Sequence, residues 1–190
     1  MRTVKYNRSA AVTYAKKWAL SCNPRYYNFD GLGGDCTNFA SQCVFAGSGV
    51  MNYTKDVGWY YNSPADRAAA WSGVRYLHTF LTTNRGVGPF GEKTELQKTA
   101  IGDLLFLQSG QSLYHTLVVT GFQNGIPLVC CHTADSFMRP LSTYVFEAIQ
   151  PAHTCRQRKS PRRGERPKRG LFSALCSRLT AWLPIFSNIL

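Results

Sequence analysis

The hydrophobic period of this chain changes once, and that change constrains its fold more than any single motif. Before the loop at Asn84–Gly91, apolar residues recur at three- and four-residue spacing. Ser9 to Leu20 puts Ala11, Tyr14, Ala15 and Trp18 on one side of a helix. From Cys36, the residues Cys36, Phe39, Ala40, Cys43 and Val44 form one face of a second, with Gly47 as its expected stop. Ser63-Pro64-Ala65-Asp66 predicts a third helix start, leading into a face of Trp71, Val74, Leu77, His78 and Leu81. We read His78 as packing rather than chemistry. Beyond that loop the pattern is that of strands: Asp103–Leu107, His115–Phe122, Ile126–Cys131 and Tyr144–Ile149. Asn124-Gly125 between two of them signals a hairpin. Helices followed by an antiparallel sheet predict an α+β domain, with helices packed on the sheet.

The cysteines argue against two function classes. There are seven, with no CxxC pair, and only four histidines with no HExxH. We therefore expect no metal site and no cofactor, and a disulfide framework cannot use an odd number of cysteines. The pattern suits a reducing compartment or a reactive thiol. Residues 1–10 contain no apolar run, so no secretory signal is read there. Action outside the cell would need another export route or a missing upstream segment; action in the cytoplasm would not.

Cys36 stands where the Gly33-Gly34-Asp35 loop enters a helix. Asp35 is an expected N-cap. A helix start carries partial positive charge and unpaired N–H groups, both of which favour thiolate, the nucleophilic form. Cys43 lies two turns away and reads as core. A nucleophilic cysteine needs a base, and the base an orienting group. His115 begins one hairpin strand and His132 ends its partner. Pairing about Asn124-Gly125 brings position 115 close to 132 or 133, so both histidines are expected at one edge of the sheet. His153 reads as surface.

Five ordered stretches now resemble a known family: Asp35-Cys36-Thr37-Asn38-Phe39-Ala40-Ser41-Gln42-Cys43; Trp59-Tyr60-Tyr61; Ile101-Gly102-Asp103-Leu104-Leu105-Phe106; His115-Thr116-Leu117-Val118-Val119-Thr120-Gly121; and His132-Thr133-Ala134-Asp135. Together they resemble the putative amidase domain family of bacteria, which looks like a branch of the papain-like NlpC and CHAP cell-wall hydrolases. The resemblance implies a papain-like fold over about residues 5–152. It implies catalysis by Cys36 as nucleophile and His115 as base, with His132 orienting the imidazole and Asp135 as the alternative orienter. Amide hydrolysis would pass through a thioester, with a peptide or peptidoglycan substrate. Asp35 occupies the position that helps bind a substrate amine in NlpC-type enzymes, though Thr37 replaces the usual Ser. Trp59, Tyr60 and Tyr61 could line a substrate groove; Asp103 reads as structural. The alternative function is a non-catalytic peptide- or glycan-binding module on the same scaffold.

Residues 156–169 hold eight Lys or Arg and one Glu, which accounts for +7 of the net +12. The charge thus belongs to a tail (153–190), so we expect no nucleic-acid partner. The stretch 156–169 is expected to be disordered and solvated. Residues 171–190 are apolar but interrupted by Arg178 and Pro184. They read either as an amphipathic contact for anionic membranes or wall polymers or as an inert extension. The expected state is a monomer.

Overall fold

Residues 2–159 are described by a computed structural model. Strand β1 (Arg2–Lys5) leads into helix α1 (Arg8–Trp18), capped by the Asn7 side chain, which accepts from the Ala10 N–H at 3.0 Å. Helix α2 (Cys36–Ser48) ends at Gly49, whose φ of 63° suits a left-handed C-cap. The stop comes two residues after the expected Gly47. Gly47 serves close packing instead, because a Cβ there would overlap the Tyr6 ring.

The third helix starts later than its sequence signal and is split. Ser63–Asp66 closes a turn through the Ser63 Oγ, which accepts from the Asp66 N–H at 3.1 Å. Arg67 then pairs with Tyr61 in an isolated bridge. Helices α3 (Ala69–Ser72) and α4 (Val74–Thr83) follow, separated at Gly73, whose backbone is extended. His78 is buried edge-on against Phe106, a packing role.

The remaining strands are β2 (Gly88–Lys93), β3 (Leu104–Ser109), β4 (Ser112–Gln123), β5 (Ile126–Cys131), β6 (Ser136–Pro140) and β7 (Ala148–Lys159). They form an open antiparallel sheet in the order β1-β7-β3-β4-β5-β6, with β2 also paired to β7. The fold is α+β, as expected. Asn124 and Gly125, both at positive φ, turn the β4–β5 hairpin.

Three short strands, β1, β2 and β6, carry no sequence alternation and were not expected. The strand expected at Tyr144–Ile149 begins at Ala148 and continues to Lys159, past the boundary expected at residue 152. Arg156–Lys159 therefore pair with β1 and, over part of this stretch, with β2, rather than being solvated chain. Ladder bonds join backbone groups, so a basic sequence does not prevent them. The rest of the basic run and the amphipathic segment at 171–190 lie outside the described residues.

Successive strand residues point to opposite faces of the sheet. One face carries Leu104, Phe106, Val118, Cys130 and Ala152 against Phe39, Cys43 and Val44 of α2, Leu77 and Leu81 of α4, and Trp59 and Trp71. The other carries Leu105, Leu107, Leu117, Val119, Val129 and Cys131, partly covered by Leu96, Tyr144, Phe146 and Ile149. This two-faced core places the start of α2 over the ends of β4 and β5.

Candidate active site

Cys36 opens α2 and is 6% exposed. Its sulfur lies 3.7 Å from the Thr37 Oγ1, which in turn meets the Thr116 Oγ1 of β4 at 3.2 Å. Burial pushes the thiol pKa up, and the Asp35 charge adds to this. Hydrogen bonds from the Thr116 backbone and from Thr37 offset part of it. The helix-start argument for a thiolate is therefore outweighed: desolvation keeps Cys36 protonated in the free protein. Its sulfur lies against the backbone of the residue that follows His115.

Asp35 does not cap α2 with its side chain. Its Oδ1 accepts from the Phe29 N–H and the Asn38 Nδ2, both at 2.8 Å, and its Oδ2 accepts from the His132 Nδ1 at 2.7 Å. At 1% exposure it has no open oxygen for a substrate amine. His132, 2% exposed, uses its other nitrogen on the Trp18 carbonyl at 2.8 Å, and Phe39 stacks on its ring at 4.2 Å. Carboxylate and carbonyl both accept, so the ring donates twice and is an imidazolium. Burial opposes that charge, but the hydrogen bonds to Asp35 and Trp18 and the charges of Asp35 and Asp135 prevail, and the His132 pKa is raised. The pair also matches the helix dipoles, with a cation at the end of α1 and an anion at the start of α2.

The turn after His132 belongs to this lock. Thr133 and Ala134 both sit at positive φ, 60° and 66°, which is costly for residues with a Cβ. The Thr133 Oγ1 accepts from the Asp35 N–H at 2.7 Å and donates to the Asp30 Oδ1 at 2.9 Å. The absent side chain of Gly34 leaves room for it.

His115 and His132 share one edge but not one face. Val118 pairs with Cys130, so the same register places Thr116, not His115, opposite position 132. His132 faces the helices. His115 faces the other side, its ring 6.3 Å from those of Tyr114 and Tyr144. Among the described residues, no hydrogen bond joins His115 to His132, Asp135 or Cys36. Both nitrogens of His132 are engaged elsewhere, so it does not hold the His115 ring. Burial, reinforced by the Arg139 charge, lowers the His115 pKa to about 4, making it a neutral imidazole near pH 7.

The aromatic triplet does not line a groove together. Trp59 is fully buried, with its Nε1 donating to the Ser41 Oγ at 3.0 Å. Tyr61 is core, its hydroxyl accepting from the Tyr27 N–H. Only Tyr60 reaches the surface, stacked on exposed Tyr53 at 4.8 Å. Asp135 is an exposed turn residue. Asp103 is structural, gathering Arg8, Ala100, His153 and Thr154 around one fully buried carboxylate, so His153 is a partner there rather than free surface.

Sequence reasoning missed Tyr144, Cys131 and Arg139. The Tyr144 hydroxyl lies 3.3 Å from the Cys131 sulfur, and the Arg139 guanidinium lies over the Tyr144 ring at 4.1 Å. Arg139 stands on a strand without alternation, so its position beside His115 had no local signal. Among the described residues, no group of His, Cys, Asp and Glu is placed to hold a metal ion.

Comparison with known proteins places this geometry in a family context. A family model described as "Putative amidase domain" matches residues 5–154. The uncharacterized protein YhbB of Bacillus subtilis (strain 168) is 29% identical over 143 residues, covering 73% of this chain and 45% of that protein. The chain thus spans less than half the length of this curated relative. No solved structure matches.

Proposed function

We propose, from the premise that this chain belongs to the putative amidase domain family, that it hydrolyses amide bonds by cysteine catalysis on a papain-like scaffold. The observation that carries this reading is that the Cys36 sulfur, at the start of α2, lies against the backbone of Thr116, the residue that follows His115 in β4. Cys36 is held as a thiol by burial, and His115 is held as a neutral imidazole. A proton can therefore pass from sulfur to ring as the sulfur attacks, without a resting ion pair.

The steps then balance. The Cys36 Sγ bonds to the amide carbonyl carbon and its proton goes to His115. The Cys36 N–H, which has no partner among the described residues at the start of α2, is a donor for the developing oxyanion. His115 returns the proton to the leaving amine, and a thioester remains. Water adds to the thioester, giving its proton to His115, and the carboxylic acid leaves with Cys36 restored as the thiol. The Asp35–His132 pair serves as the rigid footing of the nucleophile's helix, since it ties the start of α2 to the end of α1. Cys36 and His115 share no hydrogen bond in the free protein, so the mechanism requires substrate binding to bring them together, as catalytic hydrogen bonds often form fully only in the Michaelis complex.

The substrate we propose is a peptide amide of peptidoglycan, supported by the resemblance of the five ordered motifs to cell-wall hydrolases. The test is turnover of peptidoglycan fragments and peptide amides by wild type and Cys36→Ala, with intact mass to detect the acyl-enzyme. We expect turnover and an acyl adduct in wild type only. Equal turnover in both proteins refutes the mechanism. Tight ligand binding without turnover, with Cys36 inert to iodoacetamide, would assign the scaffold to binding instead.

A further inference from the structure

The outer face of the sheet beside His115 holds a cation, Arg139, that meets no carboxylate among the described residues. Arg139 pairs with Val129, and Val129 pairs with Val119 of β4, so Arg139 stands on the face that His115 shares. Tyr144 joins them: the Arg139 guanidinium lies 4.1 Å from its ring centroid, and the His115 ring lies 6.3 Å from it. The guanidinium is held in place. Its Nε donates to the Thr143 Oγ1 at 2.7 Å and its Nη2 to the Thr143 carbonyl at 2.8 Å. The Thr143 hydroxyl is itself anchored on the Pro140 carbonyl.

No carboxylate meets Arg139 among the described residues, and its Nη1 carries no hydrogen bond there. An arginine that serves only packing commonly turns its charge to water. This one is half-buried, stacked and bonded along one edge, with the opposite edge open. A fixed planar fork with a free edge suits a carboxylate, and stacking and the Thr143 bonds remove the ordering cost in advance.

We infer that Arg139 is a substrate-binding residue that receives a carboxylate carried by the peptide, next to the amide bond that Cys36 and His115 would cleave. This inference rests on the proposed amidase reading for its position beside the chemistry. The substrate class is then a peptide amide with a carboxylate close to the scissile bond, either a chain terminus or an acidic side chain. Burial is the main cause of the lowered His115 pKa and the Arg139 charge the lesser one; a carboxylate bound there offsets that lesser part and makes the base somewhat stronger.

The experiment uses full-length Cys36→Ala, so that ligands are bound but not consumed. The probes are acetyl-Ala-Ala, acetyl-Ala-Ala-amide and acetyl-Glu-Ala-amide, followed by the His115 ring resonances and by calorimetry. We expect at least one acid to bind roughly tenfold or more tighter than the neutral amide, as a charge-assisted bond requires. The preferred acid tells terminus from side chain. Adding Arg139→Gln should cut the preference below about twofold, while Arg139→Lys keeps part of it. The acid, and not the amide, should raise the His115 pKa. Equal binding of acids and amide, or a preference that survives Arg139→Gln, overturns the inference. If Arg139→Gln does not fold, the acid-to-amide ratio and the Arg139→Lys protein decide. Turnover by the Cys36 protein without any acid preference would sink this site and leave the amidase reading standing; acid preference without turnover would do the reverse.

Discussion

Two histidines at the same end of the sheet differ in almost everything that matters to chemistry. His132 lies on the helix side, buried, doubly hydrogen-bonded and cationic against Asp35. His115 lies on the opposite face, without a hydrogen bond to either, and is neutral beside a cation. One residue of strand parity separates the two environments. The lesson is that proximity along an edge says little about partnership; the pleat decides which groups can meet. The helix-side histidine is tied into the packing of α1 and α2, and the outer one is the base of the proposed reaction.

The largest effects should break this contrast outright. His115→Ala should lower amide turnover about 10²–10⁴-fold, the usual range for a general base, while changing unfolding free energy at pH 7 by under about 1 kcal/mol. Turnover assays and urea melts on the same preparation check both halves. Asp35→Ala should do the opposite in kind. It leaves the His132 cation buried without its carboxylate, at a cost of roughly 3–5 kcal/mol in urea unfolding. A stable Asp35→Ala protein would show that the pair is not the anchor we describe.

Protonation separates the two histidines in opposite directions. The folded His132 pKa lies above its usual 6.5. The stabilisation from its ion pair is thus present below about pH 6.5 and is lost as pH rises through the raised value. His115 is lowered to about 4 from 6.5, so its contribution is present above 6.5 and is lost as pH falls toward 4. Urea melts from pH 4 to 8 should show His115→Ala flattening the acid side of the profile. His132→Asn should flatten the neutral side. The acid limb of kcat/KM should fall near pH 4, not 6.5, if free His115 is the base.

The smallest effect sharpens the groove question. Tyr60→Ala, at the surface, should cost under about 0.5 kcal/mol, whereas Trp59→Ala, in the core, should cost roughly 3–5 kcal/mol. Comparable melts for the two would mean that Trp59 is not the core residue its burial and its bond to Ser41 make it.

Much of the frame was legible in the residues. The face Cys36-Phe39-Ala40-Cys43-Val44 became α2, and Asn124-Gly125 became the hairpin turn. These are local signals, in which neighbours along the chain report their own geometry. The short strands β1, β2 and β6 were not legible, because partners far away in sequence supply their ladder bonds. Ser63-Pro64 misled for a related reason: its cap chemistry closed a turn rather than a helix, since Arg67 was drawn into a bridge with Tyr61.

The candidate site divides along the same line. From the sequence alone came a cysteine at a helix start, two histidines at one strand edge, and an α+β frame to hold them, all consequences of period and turn chemistry. Tertiary structure alone decided that Asp35 turns away from its own helix to hold His132, that burial keeps Cys36 a thiol, and that Arg139 comes to lie beside His115. The physical reason is that charge state and partnership depend on desolvation and on cross-strand parity. Both are properties of the packed sheet and its helices, and no stretch of chain possesses either by itself.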